Sequence, residues 1–350
     1  NLTTASASSV SFSNGNSTFN ALTTNGGGAS FGSGLTVTTD TGKLTLNSTS
    51  ITSAGALTLA GATGIDFGSG ATFAAGGTLS MTTTSGGITG AGTFTLTSTG
   101  DIALTEDFAT AGSTFITADS DGNGAGDFSI SASKILSTGN SALTLTANDV
   151  TLSGLISSGT GETTLLISDS GTIGLGGTAG NMTITDTELG KITAGTLNIG
   201  NSSTGNITVD GITAANSNNF TTVNLTTASA SSVSFSNNAS IFKGLTVSAG
   251  NGINQNVDLT TSSSTIFDGD SNDDGSGDFS NTAGVISSGN NALSITANDF
   301  GLAGSINTGT ATTTILVSDG GSIGLGSTAG NMTISGTELG KITAGTLTIG

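Results

Sequence analysis

Two short acidic stretches hold the only residue pattern in this chain with an obvious chemistry. The first is Asp119-Ser-Asp121-Gly-Asn123-Gly124-Ala-Gly-Asp127; the second is Asp270-Ser-Asn272-Asp273-Asp274-Gly275-Ser-Gly-Asp278, with Asp268 just before it. Both satisfy D-x-[DN]-x-[DN]-G with a further Asp at the ninth position. Alternating oxygen donors and a glycine at the sixth position suit a hard cation and a sharp turn. The expectation is a structural calcium site in each loop, with Asp119, Asp121, Asn123 and Asp127 as ligands in one and Asp270, Asn272, Asp274 and Asp278 in the other. The competing reading is a solvated turn. Ile130 and Asn281 stand where the bidentate Glu of a helix-loop-helix calcium site belongs, and no helical pattern flanks either loop.

Other chemistry finds little to work with. His, Arg, Cys, Trp and Tyr are all absent, and the five lysines (Lys43, Lys134, Lys191, Lys243, Lys341) are scattered. Glycan cleavage needs a base and a charge stabiliser or paired carboxylates. Glu188/Lys191 and Glu338/Lys341 recur inside ELGK and read as salt-bridged surface turns; the doublet Glu106/Asp107 reads as a solvated loop. The chain is therefore expected not to be an enzyme and to carry no cofactor besides calcium. A net charge of −18 opposes phosphate binding, so nucleic acid is not an expected partner. No apolar run approaches the ~20 residues of a membrane span. Lectin-type stacking lacks its Trp and Tyr. Pairs such as Thr36/Thr38, Thr95/Thr97, Thr144/Thr146 and Thr183/Thr185 would suit an ice-binding face only if aligned on consecutive turns; the plainer reading is that Thr favours strands. Asn-x-Ser/Thr sequons, as at Asn16, Asn47, Asn206 and Asn224, are what a chain rich in these residues yields by chance.

The elements that must position these loops are short strands. Apolar pairs at spacing two recur along the chain, among them Leu35/Val37, Leu57/Leu59, Leu79/Met81, Ile102/Leu104 and Leu143/Leu145. Period two places both members of a pair on one strand face, with Thr or Ser on the other. Gly, Asn, Asp and Ser fill the gaps, as tight bends require. No i, i+3, i+4, i+7 stripe occurs, so essentially no helix is expected. Residues 141–200 return at 291–350, with 41 of 60 positions identical, and NLTTASASSVSFSN at 1–14 returns at 224–237. Long self-similarity made of short alternating strands predicts a stacked solenoid. Leu35, Leu57 and Leu79 set a coil of 20–25 residues. The fold class is all-β, a parallel β-helix running as one continuous rod over 1–350 and cut from a longer protein.

The phrases GKLTLNSTSITSAGALTLAGATGIDF (42–67), TELGKITAGTLNIGNSSTGNITVDGIT (187–213) and AGNMTI (179–184, 329–334) resemble the repeats of filamentous-haemagglutinin-type exoproteins, the giant adhesins of two-partner secretion. The resemblance implies a right-handed parallel β-helix, export to the bacterial cell surface, and a role in adhesion. On that reading the chain is a non-enzymatic stalk reaching a receptor on a host cell, a neighbouring cell or matrix. The alternative is a structural subunit of a self-associating extracellular filament or sheath; a polysaccharide-degrading β-helix is the remote third.

Overall fold

Inward apolar pairs of the kind just described can be buried only if each strand is stacked on its equivalent one coil away, and the chain folds in that way. The computed structural model describes residues 2–3, 8–13 and 15–350. It is 47% strand and 4% helix, with parallel strands stacked as a β-solenoid of about 14 turns. The chain divides into two compact units, residues 1–169 with 191–195, and residues 170–190 with 196–350.

In the first unit each coil contributes one short strand to each of three parallel sheets. Registers show how the repeats align: Leu57 lies between Leu35 and Leu79, and Leu59 between Val37 and Met81. The next coils continue with Ile102, Phe128 and Val150 in one column and Leu104, Ile130 and Leu152 in the other. All of these side chains are buried. Burial of such aliphatic and aromatic groups is worth about 1.5–3 kcal/mol each, which gives a chain poor in aromatics and charge its driving force. Phenylalanines thicken the column where coils widen: Phe94 sits 5.0 Å from Phe67 and 5.2 Å from Phe108, ring centre to ring centre. The second unit repeats the plan, with Phe267, Phe279 and Phe300 stacked at 5.8 and 5.5 Å.

Two local features depart from the sequence reading. Among the described residues three single α-helical turns occur, α1 (Asp186–Leu189), α2 (Ala214–Ser217) and α3 (Gly336–Leu339), besides a 3-10 turn at Ser318–Gly320. The first and third open with a capping box, Thr185-x-x-Glu188 and Ser335-x-x-Glu338. That motif satisfies two orphan N–H groups without needing a long amphipathic run. Second, hydroxyls do not all face outward. Thr110 meets Thr114 at 2.6 Å, Ser158 meets Thr163 at 2.8 Å and Thr308 meets Thr313 at 2.9 Å, all buried at coil corners. The inward hydroxyls also donate to corner carbonyls, such as Gly161 O and Ala311 O, which accept a backbone N–H from the next coil as well.

Candidate functional site

The acidic loops are insertions that lengthen one coil in each unit. Ile102 to Phe128 and Ile253 to Phe279 are register partners, a longer interval than between Leu57 and Leu79. Each loop is organised by its first aspartate, which the fold buries. Asp119 is 1% exposed and Asp270 0%. Asp119 Oδ1 accepts the Asn123 N–H at 2.9 Å and its Oδ2 accepts the Gly124 N–H at 3.0 Å. Ser168, from a later coil, donates to the same Oδ2 at 2.6 Å. The second loop is wired alike: Asp270 Oδ1 accepts the Asp274 N–H at 3.2 Å, and Ser318 donates to its Oδ2 at 2.6 Å. Gly124 and Gly275 adopt φ of +75° and +78°, the left-handed conformation that makes glycine the natural residue at the sixth position.

The remaining sequence-predicted ligands are placed elsewhere. Asp121 accepts the Asn123 amide at 3.0 Å, and Asn272 donates to Asp274 at 2.6 Å. Asp127 turns to the next coil, where its Oδ1 accepts from the Asn148 side chain and the Asp149 N–H; Asp278 does the same with Asn298 and Asp299. Among the described residues no group of three acidic side chains is gathered as a metal would require. Calcium binds through six to eight oxygens. Here the lead carboxylate accepts N–H and O–H donors from its own loop and from a later coil, and the ninth-position aspartate accepts from the next coil.

Electrostatically the two loops differ. Burial would raise the Asp119 pKa, but the hydrogen bonds from Ser168, Gly124 and Asn123 outweigh it and hold the carboxyl below its ordinary range. The second loop has Asp268, Asp273 and Asp274 where the first has Thr117, Gly122 and Asn123. Burial, with the charges of Asp273 and Asp270, pushes Asp268 above the ordinary range, and its Oδ1 is buried without a hydrogen-bond partner. Asp319 is raised likewise, by desolvation and then by Asp270, Asp273 and Asp274.

The other charged residues are rungs between coils. Lys134 pairs with Glu106 at 2.6 Å and the Ile135 N–H donates to Asp107 at 2.9 Å, so that doublet is a strut and not a solvated loop. Lys43 pairs with Asp66 of the next coil at 2.8 Å. In the second ELGK, Glu338 Oε1 accepts the Leu302 N–H at 3.0 Å, while Lys341 donates to the Ala303 carbonyl at 2.7 Å. The two side chains therefore close the free edge of strand Phe300–Leu302 and are not paired with each other, contrary to the salt-bridged turn expected. An open cleft of about 450 Å³ lies there, lined by Thr282, Leu302, Ser335, Glu338 and Lys341 among others.

Asparagines of the sequons are rungs too: Asn47 donates to Asn25 at 2.8 Å, Asn224 to Asn198 at 2.7 Å, and Asn206 accepts from the Ser232 N–H at 2.9 Å. The threonine pairs do not share one face. Thr95/Thr97 and Thr144/Thr146 are aligned in one sheet, but Phe115, 43% exposed, stands between Thr95 and Thr144. Thr36/Thr38 belongs to another sheet. What sequence reasoning missed was Ser168 and Ser318, roughly fifty residues from the carboxylates they bind. The only available signal was the Ser-Asp dipeptide recurring at 168–169 and 318–319. Compared with known families, curated proteins and solved structures, the chain matches none. No helix among the described residues is long and apolar enough to cross a membrane.

Proposed function

We propose that the chain is a non-enzymatic, extracellular segment of a bacterial surface adhesin of the filamentous-haemagglutinin type, a solenoid stalk that holds a binding region away from the cell and contributes to attachment. One observation carries this reading. Asp119, Asp270, Glu106, Lys134, Glu338 and Lys341 are engaged in fastening coil to coil or loop to coil. Much of the outward face is Thr, Ser and Asn, which suits exposure on a cell surface more than turnover of a substrate. The resemblance of the repeats supports the same class. Beads coated with the chain are expected to attach to host epithelial cells or to sibling bacteria above the level of albumin-coated beads, without release of oligosaccharide from their glycans. Attachment no better than albumin, or glycan release, would remove the reading.

A further inference from the structure

The two coils that carry the acidic loops differ at one place beside them. In the first copy Asp101 reaches its own loop, and its Oδ1 accepts the Asp127 N–H at 3.0 Å. Asp101 stands just before strand Ile102–Leu104, and the matching residue before strand Ile253–Gln255 is Gly252. With φ of +96°, Gly252 holds a left-handed backbone conformation that suits glycine. A Cβ there would stand 2.9 Å from the Asp278 carbonyl oxygen and 3.3 Å from the Asp278 nitrogen. The Asp278 N–H therefore meets no carboxylate, and among the described residues it has no hydrogen-bond partner.

Around that N–H the second copy is also the more polar. Asn251, Asn254 and Ser276 stand where the first has Gly100, Ala103 and Ala125. Asn254 lies between Ser234 and Ser280 on the outward face of its sheet. With Gly252, Asp278 and Asn298 these residues line a groove of about 500 Å³, within the usual range for small-molecule sites. Strand Ile253–Gln255 is paired on both sides, with Val233–Phe235 and Phe279–Asn281, so the groove belongs to the body of the second unit. We propose that it binds a neutral, hydroxyl-rich ligand, a saccharide, with one hydroxyl oxygen accepting the Asp278 N–H where the first copy uses its own Asp101.

The lining selects that class. A hydroxyl both donates and accepts, and so do the amides of Asn251 and Asn254 and the hydroxyl of Ser280. An anion is disfavoured: no lysine lines the groove, Asp278 borders it, and Ser276 ties the Asp274 carboxylate to its rim. An apolar ligand would find only Gly, Ser, Asn and Asp around it. No aromatic ring is there to stack on a sugar face, so recognition rests on hydrogen bonds. The inference stands on the comparison of the two coils and is independent of the adhesin reading.

The test is a titration of the isotope-labelled full chain, following the Asp278 and Gly252 amide resonances by NMR. Cellobiose and diacetylchitobiose serve as neutral probes and glucuronate as an anionic one. Both amides are expected to shift saturably with at least one neutral disaccharide. Glucuronate should bind about fivefold more weakly or worse, from like-charge repulsion. The double variant Asn251→Gly with Asn254→Ala takes the residues that the first copy carries there, so its circular dichroism should not alter. Loss of those hydrogen bonds should weaken binding about tenfold. No saturable shift with either neutral probe would overturn the proposal. So would binding that the double variant retains in full, or glucuronate binding as tight as that of the disaccharides.

Discussion

Asp119 and Asp270 occupy equivalent positions, and the neighbours of each decide what acid does to its loop. Asp119 has its pKa depressed by donated hydrogen bonds, so it contributes stability above the ordinary carboxylate pKa and loses it as pH falls through the lowered value. Asp268, beside Asp270, has its pKa raised, so its ionisation opposes folding at neutral pH and the opposition fades as pH falls through the raised value toward ~3.9. Replacing Asp268 by Asn is therefore expected to raise the melting temperature at pH 7. At pH 3.5 the gain should vanish. Thermal scans of both proteins across that range measure it, and an equal gain at both pH values would show that charge is not the cause. The same scans with added calcium and with chelator test the cation reading of both loops: a higher melting temperature with calcium would support it, and unchanged curves would remove it.

Among the elements, the strand edge at Phe300–Leu302 shows how the solenoid ends a sheet without leaving it bare. On one side the strand pairs with Phe279–Asn281. On the other, Asp299 accepts the Thr333 N–H, Glu338 accepts the Leu302 N–H, and Lys341 takes the Leu302 and Ala303 carbonyls. Side chains stand in for the missing strand, a means of blocking unwanted strand addition. Glu338 also caps α3 through the Ser335 N–H at 2.8 Å, so one carboxylate holds the edge and the turn together. Glu338→Ala should cost about 0.5–1.5 kcal/mol, the net worth of a hydrogen bond whose freed donor faces the open cleft and can meet water. It should also speed exchange of the Leu302 amide, while Glu338→Gln keeps one acceptor oxygen for two N–H donors and should retain part of the protection. No change in either variant would mean that Glu338 does not hold the edge. The capping boxes Thr185-x-x-Glu188 and Ser335-x-x-Glu338 are local patterns that a search for long amphipathic stripes passes over. The strand that Glu338 covers lies more than thirty residues earlier, beyond any local pattern.

For the molecule taken whole, the governing fact is that each coil contacts chiefly its neighbours, so stability is close to a sum of coil and interface terms. Deleting residues 57–78 removes one coil and brings Leu79 over Leu35, in the place Leu57 held. That variant is expected to stay folded, with unchanged strand content per residue by circular dichroism and a single cooperative transition in its first unit. Deleting residues 57–67 removes part of a coil and shifts every later strand to the wrong sheet; it should unfold that unit. Similar tolerance of both deletions would argue that the coils are not in register with one another.

The amino-acid sequence alone determined the periodicity: apolar residues two apart, separated by bends, admit stacked strands and little else, and the recurrence of whole cassettes made the solenoid legible before any coordinate. It also located the acidic loops and the duplicated 141–200 and 291–350 segments. Only the tertiary structure decided what those parts do. Stacking places Ser168 on Asp119, Lys134 on Glu106 and Glu338 on Leu302, each pair separated by a coil or more. A carboxylate's role depends on which donors arrive from another coil. The same alternation of oxygens that reads as a cation loop also caps its own turn, with Asp119 and Asp270 accepting from donors of the loop and of a later coil.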